Sequence, residues 1–174
     1  MPGNGPVARG CILTRVGPAS EREALAALAG WAGVRAAFLI HGRFDLVADV
    51  RGQDVDAIGQ LALRASLLPG VLSTETLLGY GPWAEDHAGP AGPAGPAGAG
   101  HRRALCLILA QAARIQDLLG MLRALPWTSS TYMLLGAADL AAFLDASSAQ
   151  VSDAIRAVRG MEGVVSVESL VEPA

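Results

Sequence analysis

Apolar and polar positions change period several times along the chain, and each change marks an element. Residues 10–16 (GCILTRV) are a short apolar run of the kind a buried strand makes. Ser20, with Glu23 three residues on, has the form of a capping box, and Leu25 and Leu28 supply an apolar helical face until Gly30 and Gly33 end it. Residues 35–41 and 46–50 read as strands, and the tight turn at 42–45 makes them an antiparallel hairpin. Ile58, Leu61, Ala62 and Ala65 share one face of a helix expected over 55–67, which Pro69-Gly70 stops. In the strand expected at 72–79, Leu72, Thr74, Thr76 and Leu78 lie on one face. Ser73, Glu75 and Leu77 lie on the other.

The same order returns further on. Strands are expected at 103–109, 128–135, 140–144 and 164–171, with helices at 115–125 and 151–158. Two separated motifs repeat with the elements. HGRFDLV matches LGAADLA at an offset of 94, pairing Gly42 with Gly136 and Asp45 with Asp139. PGVLSTETLL matches EGVVSVESLV at an offset of 93, pairing Glu75 with Glu168, so one residue is lost near the second helix. The order βαββαβ is the ferredoxin-like arrangement. The expected fold class is α+β, with two such units in tandem. Each makes a four-stranded sheet with both helices on one face, and its other face needs cover. The halves are expected to cover each other, face to face or at an edge, as a pseudo-dimer of the dimeric α/β-barrel type.

Between the repeats lies GPWAEDHAGPAGPAGPAGAG, with glycine at every third position from Gly89 to Gly98. Four triplets are too few for a stable collagen helix, so a semi-extended linker is expected. At about 3.1 Å per residue, the stretch from Gly89 to Gly100 reaches roughly 37 Å. The expected division is therefore residues 1–80, a linker over 81–101, and residues 102–174.

Composition narrows the classes. The chain has 174 residues, 52% of them hydrophobic and 17% charged, which suits folded domains and not a disordered chain. No apolar stretch is long enough to span a bilayer. The start MPGNGPVARG has no basic region followed by an apolar run, so a cytoplasmic protein is expected. Net charge is −3, and all 13 basic residues are arginines, scattered with Arg102 and Arg103 the only adjacent pair, which argues against direct nucleic-acid binding. Cys11 and Cys106 sit in apolar runs and read as buried strand thiols.

The hairpin GRFDLV (42–47), then a helix, then LPGVLSTETLL (68–78) resembles the effector-binding domain of Lrp/AsnC-type regulators, the regulation-of-amino-acid-metabolism domain. The resemblance covers residues 9–80 and, more loosely, 102–172, where Glu162 stands in place of Pro69. It implies a ligand-binding regulatory protein that takes an amino acid or small metabolite and assembles with other Lrp/AsnC-type domains, its own copies or those of full-length regulators. Such regulators carry a DNA-binding winged helix-turn-helix. Here the first strand is expected within about ten residues of Met1, so a protein without that segment is expected. The resemblance carries Gly42, Asp45 and Thr76 over as ligand-binding residues, and Gly136 and Asp139 in the second half, where Ser169 replaces Thr76.

The chemistry of the turn is compatible with that role. Glycine exposes backbone amides to a carboxylate. Asp45 offers charge-assisted bonds to an ammonium group, and Arg43 pairs with a carboxylate. Gly and Asp are also the commonest turn residues, so Asp45 equally suits a turn-stabilising role. The second turn, GAAD, has lost the arginine and the aromatic residue. Glu75 and Glu168 suggest paired carboxylates, but a solvated or interface position explains them more simply. His87 and His101 fall in the linker, and His41 has no partner at metal-ligand spacing. No nucleophile triad or phosphate loop is present, so no cofactor and no enzyme activity are expected. The alternative is a haem-, tetrapyrrole- or quinone-modifying enzyme on the same scaffold.

Overall fold

The computed structural model describes residues 8–80 and 100–174. The linker expected over 81–101 lies almost wholly outside the described residues, as do Trp83 and His87. His101, assigned to that linker from sequence, is the first residue of a strand.

The first half runs β1 (Ala8–Val16), α1 (Glu21–Ala29), β2 (Val34–Leu39), β3 (Leu46–Gly52), α2 (Val55–Ser66) and β4 (Val71–Tyr80). The second runs β5 (His101–Ala110), α3 (Ile115–Ala124), β6 (Thr128–Leu135), β7 (Leu140–Ser147), α4 (Val151–Arg159) and β8 (Val164–Val171), with one 3-10 turn (Ala112–Arg114) ahead of α3. Both halves are βαββαβ units, as the two patterns required. Registers repeat with them. Ala8 faces Gly52 across β1 and β3, and Arg102 faces Ala146 across β5 and β7. The one lost residue falls between the end of the third strand and the end of the second helix of each half, since Gly52 and Ala146 are 94 apart and the helix ends Ser66 and Arg159 are 93 apart.

Helix starts are less orderly than the sequence suggests. Asp54 caps α2, its side chain accepting from the Ala57 amide at 2.8 Å. Ser20 makes no such bond at α1, so the expected capping box does not form. Its side chain instead fills the space where a Cβ on Gly70 would lie, and Gly70 has φ +78°. Helix α1 begins on backbone bonding alone, with the Ala24 amide donating to the Ser20 carbonyl at 3.0 Å.

The strands form one antiparallel, eight-stranded sheet in the order β2-β3-β1-β4-β6-β7-β5-β8. The halves join where β4 pairs with β6, Leu78 to Tyr80 against Leu135 to Met133. At the far edges the His41 amide donates to the Val171 carbonyl at 3.3 Å. That bond is the pseudo-symmetric counterpart of the Leu78–Leu135 pairing, so the sheet curls until its outer strands meet, and a barrel-like enclosure results. Both expected modes, edge joining and face-to-face packing, occur together.

Three buried clusters follow from the pleat. One lies between α1, α2 and the first sheet, around Ile12, Leu28, Leu46 and Ile58. A second lies between α3, α4 and the second sheet, around Ile108, Leu118, Leu140 and Val158. The third fills the barrel interior and draws on both halves, with Leu13, Phe38, Leu77, Leu105, Tyr132 and Phe143 among its members. Phe38 and Phe143 meet edge-on with centroids 6.3 Å apart, a favoured aromatic geometry. Among the described residues no helix is long and apolar enough to cross a membrane.

Candidate functional site

The two hairpin turns sit beside the barrel interior, and each begins with a glycine at positive φ, +139° at Gly42 and +132° at Gly136. A side chain at either place would be strained, which explains glycine without reference to a ligand. The aspartates serve the fold. Asp45 Oδ2 accepts from the Val16 amide at 2.8 Å, and Asp139 Oδ2 accepts from the Ala110 amide at 2.8 Å. Each carboxylate so ties its turn to the end of β1 or β5. Thr76 of β4 pairs with Ile12 of β1 and shares a sheet face with Leu78, which packs toward the helices. Leu77 faces the barrel interior, so Thr76 lies across the sheet from Glu75.

Arg43 is where residues from distant parts of the chain converge. Its Nε donates to Glu168 Oε1 at 3.0 Å and its Nη2 to Glu168 Oε2 at 3.2 Å, a two-pronged pair. Its Nη1 reaches Glu75 Oε2 at 3.4 Å. The guanidinium also lies 4.7 Å from the centre of the buried Phe44 ring. Hydrogen bonding to Glu168 raises the Arg43 pKa above its ordinary value, so the charge is permanent. Arg43 and the two glutamates thus carry a net charge of −1.

A pocket of about 180 Å³ opens beside this group. Glu75 and Leu77 come to it from the first half, and Leu107, Ala137, Ala138 and Glu168 from the second. Leu77 and Leu107 are buried members of the barrel interior, so the pocket pairs an apolar floor with a charged lip. A wider and more open groove of about 760 Å³ lies on the outside of the first half, between Arg51, Gln60 and Arg64. Its lining comes from one half only, so an occupant there would not bridge the two.

The sequence alone gave Glu75 and Glu168 a solvated or interface position, and Arg43 a ligand's carboxylate as its partner. The side chains of all three are part-exposed, and they meet at the junction of the halves. The signal was the equivalence of the two glutamates in the repeat. What hid it was the 125-residue separation of Arg43 from Glu168. His41 is exposed and contributes its backbone to the seam. Among the described residues no group of three or more metal-ligating side chains occurs. His101 bonds Asp145 through Nδ1 at 2.9 Å, away from the turns.

A buried polar cluster lies among the interior side chains. Asp49 is 2% exposed and accepts from the Tyr132 hydroxyl at 3.4 Å. Burial pushes its carboxyl up to about 6, against the pull of Arg35 and Arg9. Burial likewise pushes the Cys11 thiol well up and the Cys106 thiol to about 12, and both cysteines are free.

No protein-family model matches the chain, and no curated protein does. Among solved structures, the siroheme decarboxylase NirDL is similar along nearly the whole chain. Its TM-score is 0.63 at 10% identity, covering 97% of this chain and 72% of that one. E. coli AsnC aligns with TM-score 0.40 and 22% identity over 45% of this chain and 54% of that one. The protein FFRP-DM1 aligns with TM-score 0.41 and 22% identity over 42% of this chain and 99% of that one. At such identities the likeness to NirDL concerns the fold, a pair of ferredoxin-like units in a dimeric α/β-barrel arrangement.

Proposed function

We propose that the chain is an effector-binding regulatory module of Lrp/AsnC type, built from two tandem copies of that ligand-binding domain, which acts through assembly with other such domains and not by touching DNA. The effector is an amino acid or similar small metabolite, bound at the mouth between the halves. The observation that carries this reading is Arg43, which spans Glu75 of its own half and Glu168 of the other beside a small pocket. An amino acid presents both complementary charges. Its carboxylate takes Arg43, and its ammonium takes a glutamate. A surface ion pair contributes at most about 1 kcal/mol, so exchanging the Arg43–Glu168 pair for a ligand costs little. Because the site draws on both halves, occupancy stabilises one arrangement of them over others.

The test is a thermal-shift screen against the twenty amino acids and common metabolites. The expected result is a ligand-specific rise in Tm that Arg43→Ala abolishes. A folded protein that responds to none of them rules the reading out. The fold is shared with a siroheme decarboxylase, but fold alone does not confer activity. The barrel interior is filled by Phe38, Tyr132, Phe143 and their neighbours, which favours a small ligand at the mouth over a macrocycle within. A haem titration is therefore expected to leave the Soret band at its free-haem position.

A further inference from the structure

The two halves differ at the place where their symmetry puts an ion pair. Arg43 binds Glu168 through two nitrogens. In the repeat, position 137 is the counterpart of Arg43, and Glu75 is the counterpart of Glu168. Symmetry therefore calls for an arginine at 137 in a two-pronged bond to Glu75. The chain has Ala137 there, and Ala138 where the first half has Phe44. Both small residues line the pocket of about 180 Å³, together with Leu107, Leu109 and Ser166 of the same half. The pocket thus opens at the second turn, where alanines stand in the places that an arginine and an aromatic residue hold in the first. Glu75 keeps a single contact of 3.4 Å to Arg43, whereas Glu168 has two shorter ones.

We infer that this pocket takes an organic cation, a guanidinium or primary ammonium on a short apolar stem, which supplies the positive charge that the second turn lacks. The head group pairs with Glu75, and the stem lies against Leu107 and the two alanines. The net charge of −1 on Arg43, Glu75 and Glu168 becomes zero on binding, which removes the like-charge cost of two carboxylates sharing one guanidinium. An aliphatic stem covers apolar surface that is otherwise wet. The inference deepens the proposed effector site and rests on it. It narrows the effector from any amino acid to one with a cationic side chain, or to a simple amine or guanidine.

The test is calorimetric titration of the full chain at low ionic strength, where surface charge is least screened. The probes are the monocation n-butylguanidinium and L-arginine, with L-leucine and L-norvaline as uncharged-side-chain controls. Saturable 1:1 binding of n-butylguanidinium is expected, without comparable binding of the controls. Glu75→Gln is expected to weaken it on the order of tenfold or more. Ala137→Arg is expected to abolish it, because the variant's own side chain fills the pocket. Should that variant not fold, the near-isosteric Glu75→Gln decides alone. Absence of n-butylguanidinium binding overturns the inference, and so does equal affinity in Glu75→Gln. If the uncharged amino acids bind in an Arg43-dependent way and n-butylguanidinium does not, the inference falls while the effector site stands. If no probe binds, both fall.

Discussion

At the scale of single residues, Asp49 carries the clearest pH signature. It faces Cys11 across β1 and is 2% exposed, and burial lifts its carboxyl from the ordinary 3.8 to about 6. Unfolded, the group titrates near its ordinary value. Between about pH 4 and pH 6 the folded state therefore binds more protons than the unfolded one. The stability that Asp49 contributes is complete below about pH 4 and is lost as pH rises through about 6. Asparagine cannot ionise, so Asp49→Asn is expected to gain in Tm relative to the parent across that interval and to hold level above it. A Tm difference that does not change with pH would refute the assignment. The two thiols make a simpler prediction. Cys11 and Cys106 are both fully buried, and their raised pKa values keep them protonated. Neither is expected to react with a disulfide reagent until the protein is unfolded, and rapid labelling of the native protein would contradict that.

At the scale of elements, the turns are held by their aspartates. Each carboxylate satisfies a strand-end amide that otherwise loses its partner. Asp45→Ala and Asp139→Ala are each expected to cost about 1–3 kcal/mol, read as a fall in denaturation midpoint. The ligand response at Arg43 is expected to survive in whichever variants stay folded. Loss of that response in a folded Asp45→Ala would return the aspartate to the site. The turns also mark how much the sequence reveals. The period of 3.6 in helix α2 reports directly which face is buried, with Ile58 and Ala65 on it, because burial follows the helical turn, whereas VLSTETLL shows no such alternation of burial and Leu72 is exposed. Glycine at positive φ was legible for the same local reason. The absent Ser20 cap was not, since the Ser20 side chain is claimed by Gly70, fifty positions away in sequence. The Arg43–Glu168 pair was hidden in the same manner, because it exists only once the halves have docked.

At the scale of the molecule, the interior core decides whether there is one folding unit or two. Leu13, Phe38, Val47 and Leu77 of the first half interlock with Leu105, Tyr132, Phe143 and Leu170 of the second. The halves are also stitched at two seams, β4 to β6 and His41 to Val171. Either half by itself would expose the apolar face of a four-stranded sheet, which water penalises in proportion to area. The dominant interaction between the halves is therefore of the same kind as the one within them, and the barrel is expected to unfold as a single cooperative unit. Calorimetry should give one transition whose calorimetric and van't Hoff enthalpies agree. Phe38→Ala and Phe143→Ala truncate the two faces of one aromatic contact, so each is expected to cost about 3–5 kcal/mol. Both should shift that one transition, and the double variant should cost less than the sum of the singles, because the shared contact is lost only once. Two resolved transitions, or a Phe38→Ala effect confined to one of them, would mean that the halves are independent domains in contact. A ligand at the Arg43 mouth would then have no single cooperative unit through which to act.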